Sequence, residues 1–430
     1  FTWALNSREN KLTPWENDPI SDNGNEMLLL KIGNVLYDII RGSLAEFTPQ
    51  YCFYKGQAGC IESETSVKVY SKGLGKELTV TLLNTSDSEQ RIDLIYKITP
   101  VLGDRVNGSM PVAETENGAL IISNSQNLNY GGAAVIYCSK KARYSFSEEE
   151  IRSGDFSRCE EETGRVSAET VGVIVPIVLP PREKLRIRYI LGYCENKAEA
   201  SNSVKALEGT PCGVTYENSI EISTPDGNLN KLFNTWLPHQ ALSCRIWGRT
   251  GFFQNGGGFG FRDQIQDCLS IMYLSPKIAL EHILRCCQSQ FPEGDVLHWW
   301  HEFTCGNMSK KVGVRTRCSD DLLWLPYAAC EYAEVFAGTE GDGMGGDFWS
   351  METEYCIGPQ LPNDKSELFM EVSGNGEKES VFGHCKKAME KGFVKGKNGL
   401  LKMGSGDWND GYNRVGAGGN GESVWLSMFY

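Results

Sequence analysis

Residues 78–83 read LTVTLL, and this run together with its neighbours decides the fold of the N-terminal half. Its side chains alternate between threonine and larger aliphatic residues, so successive positions face opposite sides of an extended chain. Similar alternating or β-branched runs, bounded by Gly, Asn, Asp or Pro, recur at 66–70, 91–96, 134–137, 171–175 and 185–191. Short strands separated by turn signals are typical of a large antiparallel β-sandwich.

The hydrophobic period changes from two to about three and a half residues after Pro225. One face of a predicted helix contains Leu229, Leu232, Phe233, Trp236 and Leu237. Further helices are predicted at 263–274, 276–291, 320–336 and 377–391, separated by glycine-containing loops at 250–261, 292–318, 338–372 and 395–422. We therefore predict an α+β multidomain protein, with an antiparallel β-sandwich domain over 1–195, a linker with a short helix over 196–224 and a helical domain over 225–430.

Composition excludes several classes of partner. The 430-residue chain has a formal net charge of −13 and contains no Lys/Arg-rich cluster, which argues against nucleic acid. No apolar run is long enough to span a membrane and no signal peptide opens the sequence, so we expect no membrane partner and a cytoplasmic location. The fifteen cysteines are odd in number and form no C-x-x-C pair, which favours free thiols.

Both ends of the sequence have the character of internal sequence. The chain begins at Phe1 rather than Met, and it ends at Tyr430 inside the apolar stretch 423–430. Natural C-termini more often end in a polar, frayed segment. We expect the sequence to be a fragment.

The densest polar cluster is GSGDWNDG at 404–411. Two carboxylates, an indole and an amide lie within four positions, framed by glycines that permit tight turns. One interpretation is a general acid beside a tryptophan that stacks on a sugar ring. The other is a turn with no catalytic role.

A second cluster, GFRDQIQD at 260–267, opens a predicted helix. Asp263 and Asp267 are spaced i and i+4 and share a helical face beside Arg262. Such carboxylates and an arginine can hold sugar hydroxyls by charge-assisted hydrogen bonds. Acidic residues that only complement the helix dipole are the alternative.

Two further motifs precede and open the helix at 320–336. In GDVLHWWH at 294–301, His298 and His301 could suggest a metal, but the zincin pattern is absent and the chain has only five histidines. We therefore predict no metal and an aromatic wall with hydrogen-bonding imidazoles. In VRTRCSDD at 314–321, arginines near two aspartates indicate either a salt-bridged helix cap or a substrate-shaping role.

At these motifs the chain resembles glycoside hydrolase family 94, the inverting disaccharide and oligosaccharide phosphorylases. The segments 260–267, 294–301, 315–326 and 406–411 all look like that family's motifs and occur in its order. Within the family, the HWWH and RTR versions look most like β-1,2-oligoglucan phosphorylases and the C-terminal module of cyclic β-1,2-glucan synthases. The resemblance implies that the helical domain is an incomplete (α/α)6 barrel with the site at its mouth.

The resemblance also implies roles for individual residues. Asp410 would be the general acid, and Trp408 would line the sugar subsite at the cleaved bond. Arg262 and either Asp263 or Asp267 would hold that sugar's hydroxyls, a choice the motif leaves open. The remaining predicted substrate-binding residues are Asp321, Arg315, His298 and Trp299.

The reaction implied is the reversible, inverting phosphorolysis of a β-linked gluco-oligosaccharide to α-glucose 1-phosphate and a shortened glucan. Phosphate is an anionic nucleophile and needs no protein base, so the expected partners are an oligosaccharide and phosphate, with no cofactor. Family members often form homodimers through the β-domain. Two alternatives stay open: an inverting glucan hydrolase with Asp320 or Asp321 as base, and a non-catalytic carbohydrate-binding module.

Overall fold

The computed structural model describes residues 12–14, 24–48, 50–70, 74–103, 110–126, 132–207, 210, 220–246, 258–305, 308–336, 347–412, 414–416 and 418–430. The chain divides into two compact units. The first comprises Phe1–Thr215 with Cys305–Asn307, and the second comprises Tyr216–Thr304 and Met308–Tyr430. The division after residue 215 falls inside the segment 196–224.

The described part of the first unit is predominantly strand. Its strands are β1 (Glu26–Ile32), β2 (Val35–Asp38), β3 (Leu44–Phe47), β4 (Tyr51–Ala58), β5 (Ile61–Val69), β6 (Gly75–Asn84), β7 (Gln90–Ile98), β8 (Val112–Glu116), β9 (Ala119–Ser123), β10 (Ala133–Cys138), β11 (Arg143–Ser145), β12 (Val166–Ser167), β13 (Val171–Leu179) and β14 (Lys184–Cys194). Its helices are α1 (Glu148–Ser153) and α2 (Ala200–Ala206).

These strands form two antiparallel sheets that share a core. One sheet has the order β11-β13-β7-β1-β2 and the other has the order β12-β8-β9-β10-β14-β6-β5-β4-β3. Residues from both sheets, such as Leu94 and Tyr96 of β7 and Val80 and Tyr189 of the larger sheet, pack in one buried cluster. The Tyr96 and Tyr189 ring centroids are 5.3 Å apart. The predicted antiparallel β-sandwich is confirmed.

The second unit combines helices with a sheet. Its helices are α3 (Gly227–Lys231), α4 (Leu237–His239), α5 (Phe261–Ile271), α6 (Pro276–Cys287), α7 (Trp324–Phe336), α8 (Val381–Gly392) and α9 (Val424–Phe429), with π-helical turns at Leu232–Trp236 and Gln240–Ile246 and 3₁₀ turns at Asp321–Leu323, Phe348–Ser350 and Asp410–Tyr412. Its strands are β15 (Phe259–Gly260), β16 (Leu297–Cys305), β17 (Met308–Thr316), β18 (Glu352–Ile357), β19 (Glu367–Ser380), β20 (Leu401–Lys402) and β21 (Glu422–Ser423). Helix α5 packs against α6 and α7, and α7 packs against α8.

The prediction of loops at 292–318 and 338–372 is wrong for much of both segments. Strands β15, β16, β17, β19 and β18 form a five-stranded sheet in that order. Strand β19 was not predicted because most of its side chains are exposed. Among its described residues, only Met370 and Val372 are buried. A strand with so little apolar surface gives a weak periodic signal. The predicted loop at 250–261 lies outside the described residues up to residue 257.

No helix among the described residues combines the length and the apolar character needed to cross a bilayer.

Candidate functional site

Arg262, in the first turn of α5, is the centre of the candidate site. Its guanidinium Nη2 donates to both carboxylate oxygens of Asp410 at 2.9 Å. Its Nη1 lies 3.4 Å from Asp320 Oδ1 and 3.3 Å from the main-chain oxygen of Asp407. Because Arg262 is itself buried, these acceptors compensate for the loss of water around its charge.

The backbone around Gly260 fixes where Arg262 points. Gly260 is the N-cap of α5 in an extended conformation, and its N–H donates to Gln264 Oε1 at 2.7 Å. Gly260 also pairs with Trp299 of β16. This pairing brings the start of α5 beside the strand that carries His298.

Asp410 begins a 3₁₀ turn in a loop that is anchored to the segment after β17. Ser405 N–H donates to Arg317 O, and Ser319 N–H donates to Gly406 O, both at 3.0 Å. Gly404 has φ +62°, and a Cβ there would overlap the Arg317 oxygen, so glycine is required. The Asp410 side chain is 69% exposed. The carboxyl group is therefore accessible to a ligand.

Asp407, the other acid of this motif, has a structural role. Its carboxylate accepts from Ser423 Oγ at 2.6 Å and from the Asn409 N–H at 2.9 Å. These bonds hold the turn that precedes Asp410. In this cluster Asp407 therefore stabilises the turn, and Asp410 is the accessible acid.

Trp408 presents an exposed indole next to Asp410. It is 52% exposed, and its Nε1–H donates to Gln266 Oε1 at 3.4 Å. Gln266 donates in turn to the main-chain oxygen of Arg262. A large apolar face that remains exposed beside charged groups suits a sugar ring, which has apolar C–H faces and polar edges.

Asp320 lies behind Arg262 and is 0% exposed. Its oxygens accept from Trp324 Nε1 at 3.2 Å and contact Cys318 Sγ at 3.3 Å. Burial and the charge of Asp321 raise the pKa of Asp320 to about 6, although Arg262 opposes the shift.

Asp321 pairs with His298 on the other side of the same turn. The distance from His298 Nδ1 to Asp321 Oδ2 is 2.7 Å. Burial lowers the pKa of His298, but the hydrogen bond and charge of Asp321 outweigh that effect, and the pKa is raised. His298, Cys318 and Asp321 are also the described residues whose ligand atoms are grouped closely enough to hold a metal ion.

Of the two aspartates on α5, only Asp263 lies close to the guanidinium group of Arg262. Its Oδ1 is 3.6 Å from Arg262 Nε. Asp267 instead pairs with Arg245 at 2.9 Å, and burial raises its pKa despite that arginine. The structure therefore favours Asp263 as the partner of Arg262.

Among the described residues, no side-chain hydrogen bond or ion pair joins Arg315 or Trp299 to this group of side chains. Arg315 is 3% exposed, donates twice to Asp295 at 2.6 and 2.7 Å, and stacks on Phe291. Trp299 is one residue from His298 on β16, so it faces the other side of the sheet, where its ring lies 6.0 Å from that of Phe369.

The structure thus brings together Asp410, Trp408, Arg262, Asp263, Asp321 and His298 from four segments of chain. The sequence prediction gave Asp320 only as an alternative base and gave Cys318 no role. Cys318 and Asp320 lie between Arg317 and the start of the helix, and this position was the only hint in the sequence that they belong to the site. Their burial depends on contacts with Arg262 and residues 404–407.

Comparison with known proteins identifies one relative that matches the whole chain and others that match about half of it. It is 30% identical over 467 residues to the cyclic beta-(1,2)-glucan synthase NdvB of Rhizobium meliloti (strain 1021), covering 100% of this chain and 16% of that protein. It is 25% identical to an N,N'-diacetylchitobiose phosphorylase of Vibrio proteolyticus, covering 59% and 32%. It is 26% identical to a solabiose phosphorylase of Paenibacillus borealis, covering 49% and 22%. The chain spans a third or less of the length of these relatives.

Two family descriptions match most of the chain. Residues 1–146 match the glycosyl hydrolase 94 supersandwich domain, in agreement with the two-sheet architecture. Residues 216–430, half of the chain, match the catalytic domain of the glycosyl hydrolase 94 superfamily, with which an (α/α)6 barrel is consistent. The chain therefore belongs to the glycosyl hydrolase 94 superfamily.

Proposed function

We propose that this chain carries the acid and part of the sugar site of a glycoside phosphorylase. In the reaction, phosphate displaces a β-linked glucosyl unit of a gluco-oligosaccharide with inversion, and Asp410 protonates the departing glycosidic oxygen. The products are α-glucose 1-phosphate and a shortened glucan, and the reaction is reversible. The observation that carries the proposal is an accessible Asp410 carboxyl, held by Arg262 next to an exposed Trp408 indole.

Arg262 gives Asp410 a defined orientation. The two hydrogen bonds from Arg262 Nη2 fix the plane of the Asp410 carboxyl group, and the exposure of that side chain leaves it open to a ligand. This arrangement suits an acid that must present its proton in one direction.

The proposed sugar site uses the neighbouring polar groups. Asp263 is exposed and close to Arg262, and His298 is held by Asp321. Each can bond to a sugar hydroxyl, while Trp408 can stack on the ring. Relatives of this chain named as phosphorylases of chitobiose and solabiose support the reaction class. NdvB, named for cyclic β-1,2-glucan, supports a β-1,2-glucan as substrate.

The hydrolase alternative has less support. An inverting hydrolase needs a carboxylate that activates water on the face of the sugar opposite to the acid. Asp320 is fully buried behind Arg262, and Asp321 is 1% exposed and bonded to His298. Neither carboxylate is open to a water molecule between itself and a sugar.

The test compares the purified parent protein with Asp410→Asn, using β-1,2-gluco-oligosaccharides with and without phosphate. We expect phosphate-dependent release of α-glucose 1-phosphate that falls by about 10²–10⁴-fold in the variant. Because Asp410 is exposed, the unfolding midpoint should change little. A Trp408→Ala variant should weaken sugar binding.

Two results would contradict the proposal. Equal glucan cleavage with and without phosphate would indicate a hydrolase. Sugar binding without turnover at any phosphate concentration, unaffected by Asp410→Asn, would indicate a carbohydrate-binding module.

A further inference from the structure

Three side chains with metal-ligating atoms meet between β16 and the turn after β17. One ligand atom each from His298, Cys318 and Asp321 lies within 4.8 Å of the other two. The side chain of His298 is 29% exposed, whereas that of Asp321 is buried. The cluster therefore has a closed end at the carboxylate and an open end at the imidazole.

The buried end contains an unsatisfied acceptor. Asp321 Oδ1 has no hydrogen-bond partner among the described residues, although the residue is almost completely inaccessible to solvent. Its other oxygen is bonded to His298, so Oδ1 lies beside the same cluster. A buried carboxylate oxygen without a partner is costly, and a bound cation would remove that cost.

We propose that His298, Cys318 and Asp321 bind one divalent transition-metal ion of the zinc type. Thiolate, imidazole and carboxylate are the protein ligands that Zn²⁺ uses, whereas Mg²⁺ and Ca²⁺ select oxygen ligands alone. Three protein ligands leave a fourth tetrahedral position, which the open end of the cluster can supply to water.

The geometry requires only a small adjustment. Zinc bond lengths of about 2.0–2.3 Å place tetrahedral ligand atoms roughly 3.3–3.8 Å apart. The ligand atoms are at most 4.8 Å apart, so side-chain rotation has to close gaps of no more than about 1.5 Å. His298 Nδ1 and Asp321 Oδ2, which are 2.7 Å apart, have to exchange their mutual hydrogen bond for bonds to the ion. Cys318 is partly buried and is a free cysteine, so no disulfide competes for the sulfur.

The charges around the cluster favour a cation. Cys318 Sγ lies 3.3 Å from Asp320 Oδ1, so a second carboxylate adjoins the three proposed ligands. Arg262 is the nearby positive charge, but its hydrogen bonds go to Asp410, Asp320 and the oxygen of Asp407. It donates no hydrogen bond to Asp321 among the described contacts.

A bound ion would act as an inhibitor rather than a cofactor. It would withdraw His298 and Asp321 from sugar hydroxyls, and this consequence rests on the proposed function. The binding of the ion does not depend on the proposed function, so the test measures binding in the absence of sugar and phosphate.

The test uses the purified protein after removal of metal with a chelator. Zn²⁺ is titrated by calorimetry, and Co²⁺ is followed by its sulfur-to-metal charge-transfer absorption. We expect one ion per chain in the parent and in Cys330→Ser, a control that changes an exposed cysteine. Cys318→Ser and Asp321→Asn should bind at least about 100-fold more weakly, since even the loss of an outer-shell partner costs 10–100-fold.

Circular dichroism identifies a variant that has failed to fold. In that case His298→Gln, which alters the most exposed ligand, takes its place and should show the same loss of affinity. The proposal is wrong if the parent takes up no Zn²⁺. It is also wrong if folded Cys318→Ser keeps the parent affinity, or if the Co²⁺ complex of the parent lacks the sulfur band.

Discussion

Replacement of Asp320 by asparagine should remove a loss of stability that the parent shows as the pH rises from about 4 to about 6. Asp320 is fully buried, and burial together with the charge of Asp321 raises its pKa from the ordinary value of 3.8 to about 6. Asparagine has nearly the same shape and carries no charge. Its one carbonyl oxygen replaces only one of the two carboxylate oxygens that accept from Arg262 and Trp324, whereas Arg262 keeps its contact with Asp410. The cost of the lost bond is the same at every pH, so the prediction concerns the change of stability with pH.

The magnitude follows from proton linkage. Between the unfolded pKa and the folded pKa, the native state binds more protons than the unfolded state, so stability falls as pH rises. A shift from 3.8 to about 6 corresponds to about 3 kcal/mol at 1.36 kcal/mol for each pKa unit. This contribution is complete above about pH 6 and absent below about pH 4. The stability of Asp320→Asn relative to the parent should therefore rise by about 3 kcal/mol across that window.

Urea unfolding at a series of pH values from about 4 to about 7.5 measures this difference. Eight of the ten tryptophans lie in residues 216–430, so indole fluorescence reports mainly on the unit that contains Asp320. Asp364→Asn, at an exposed aspartate, is the matched control and should show no such trend. A stability difference that stays constant with pH, or that grows towards acid, would refute the linkage argument.

Two further predictions concern residues that the sequence placed in the site. Arg315→Met should destabilise the protein by about 3 kcal/mol, because it leaves Asp295 without its buried partner. The substitution should not change the affinity for sugar. Weaker sugar binding with an unchanged urea midpoint would show that Arg315 contacts the sugar directly. Because the folded pKa of His298 is raised, the parent should be more stable than His298→Gln below about pH 6.5 and lose that advantage as pH rises through the folded pKa. Unfolding midpoints across that range test the sign, and a constant difference would contradict it.

The candidate site was only partly predictable from local sequence. Asp410 and Trp408 stand in one short motif, where an acid and an indole between glycines predict a sugar site. Arg315 and Asp321 also share a motif, yet only Asp321 reaches the site. Their separation depends on where β17 ends and the 3₁₀ turn begins, and that point is set by pairing with β19.

The sandwich, the main helices and the family could be predicted from the sequence, because alternation, helical period and ordered motifs are local properties of the chain. Tertiary structure decided which polar groups are buried and which are open. The five-stranded sheet combines strands from residues 259–380, and Arg262 donates to Asp407 and Asp410, more than a hundred positions along the chain. Burial and charge pairing arise only from such contacts, so they alone decided that Asp320 is inaccessible and Asp410 is exposed.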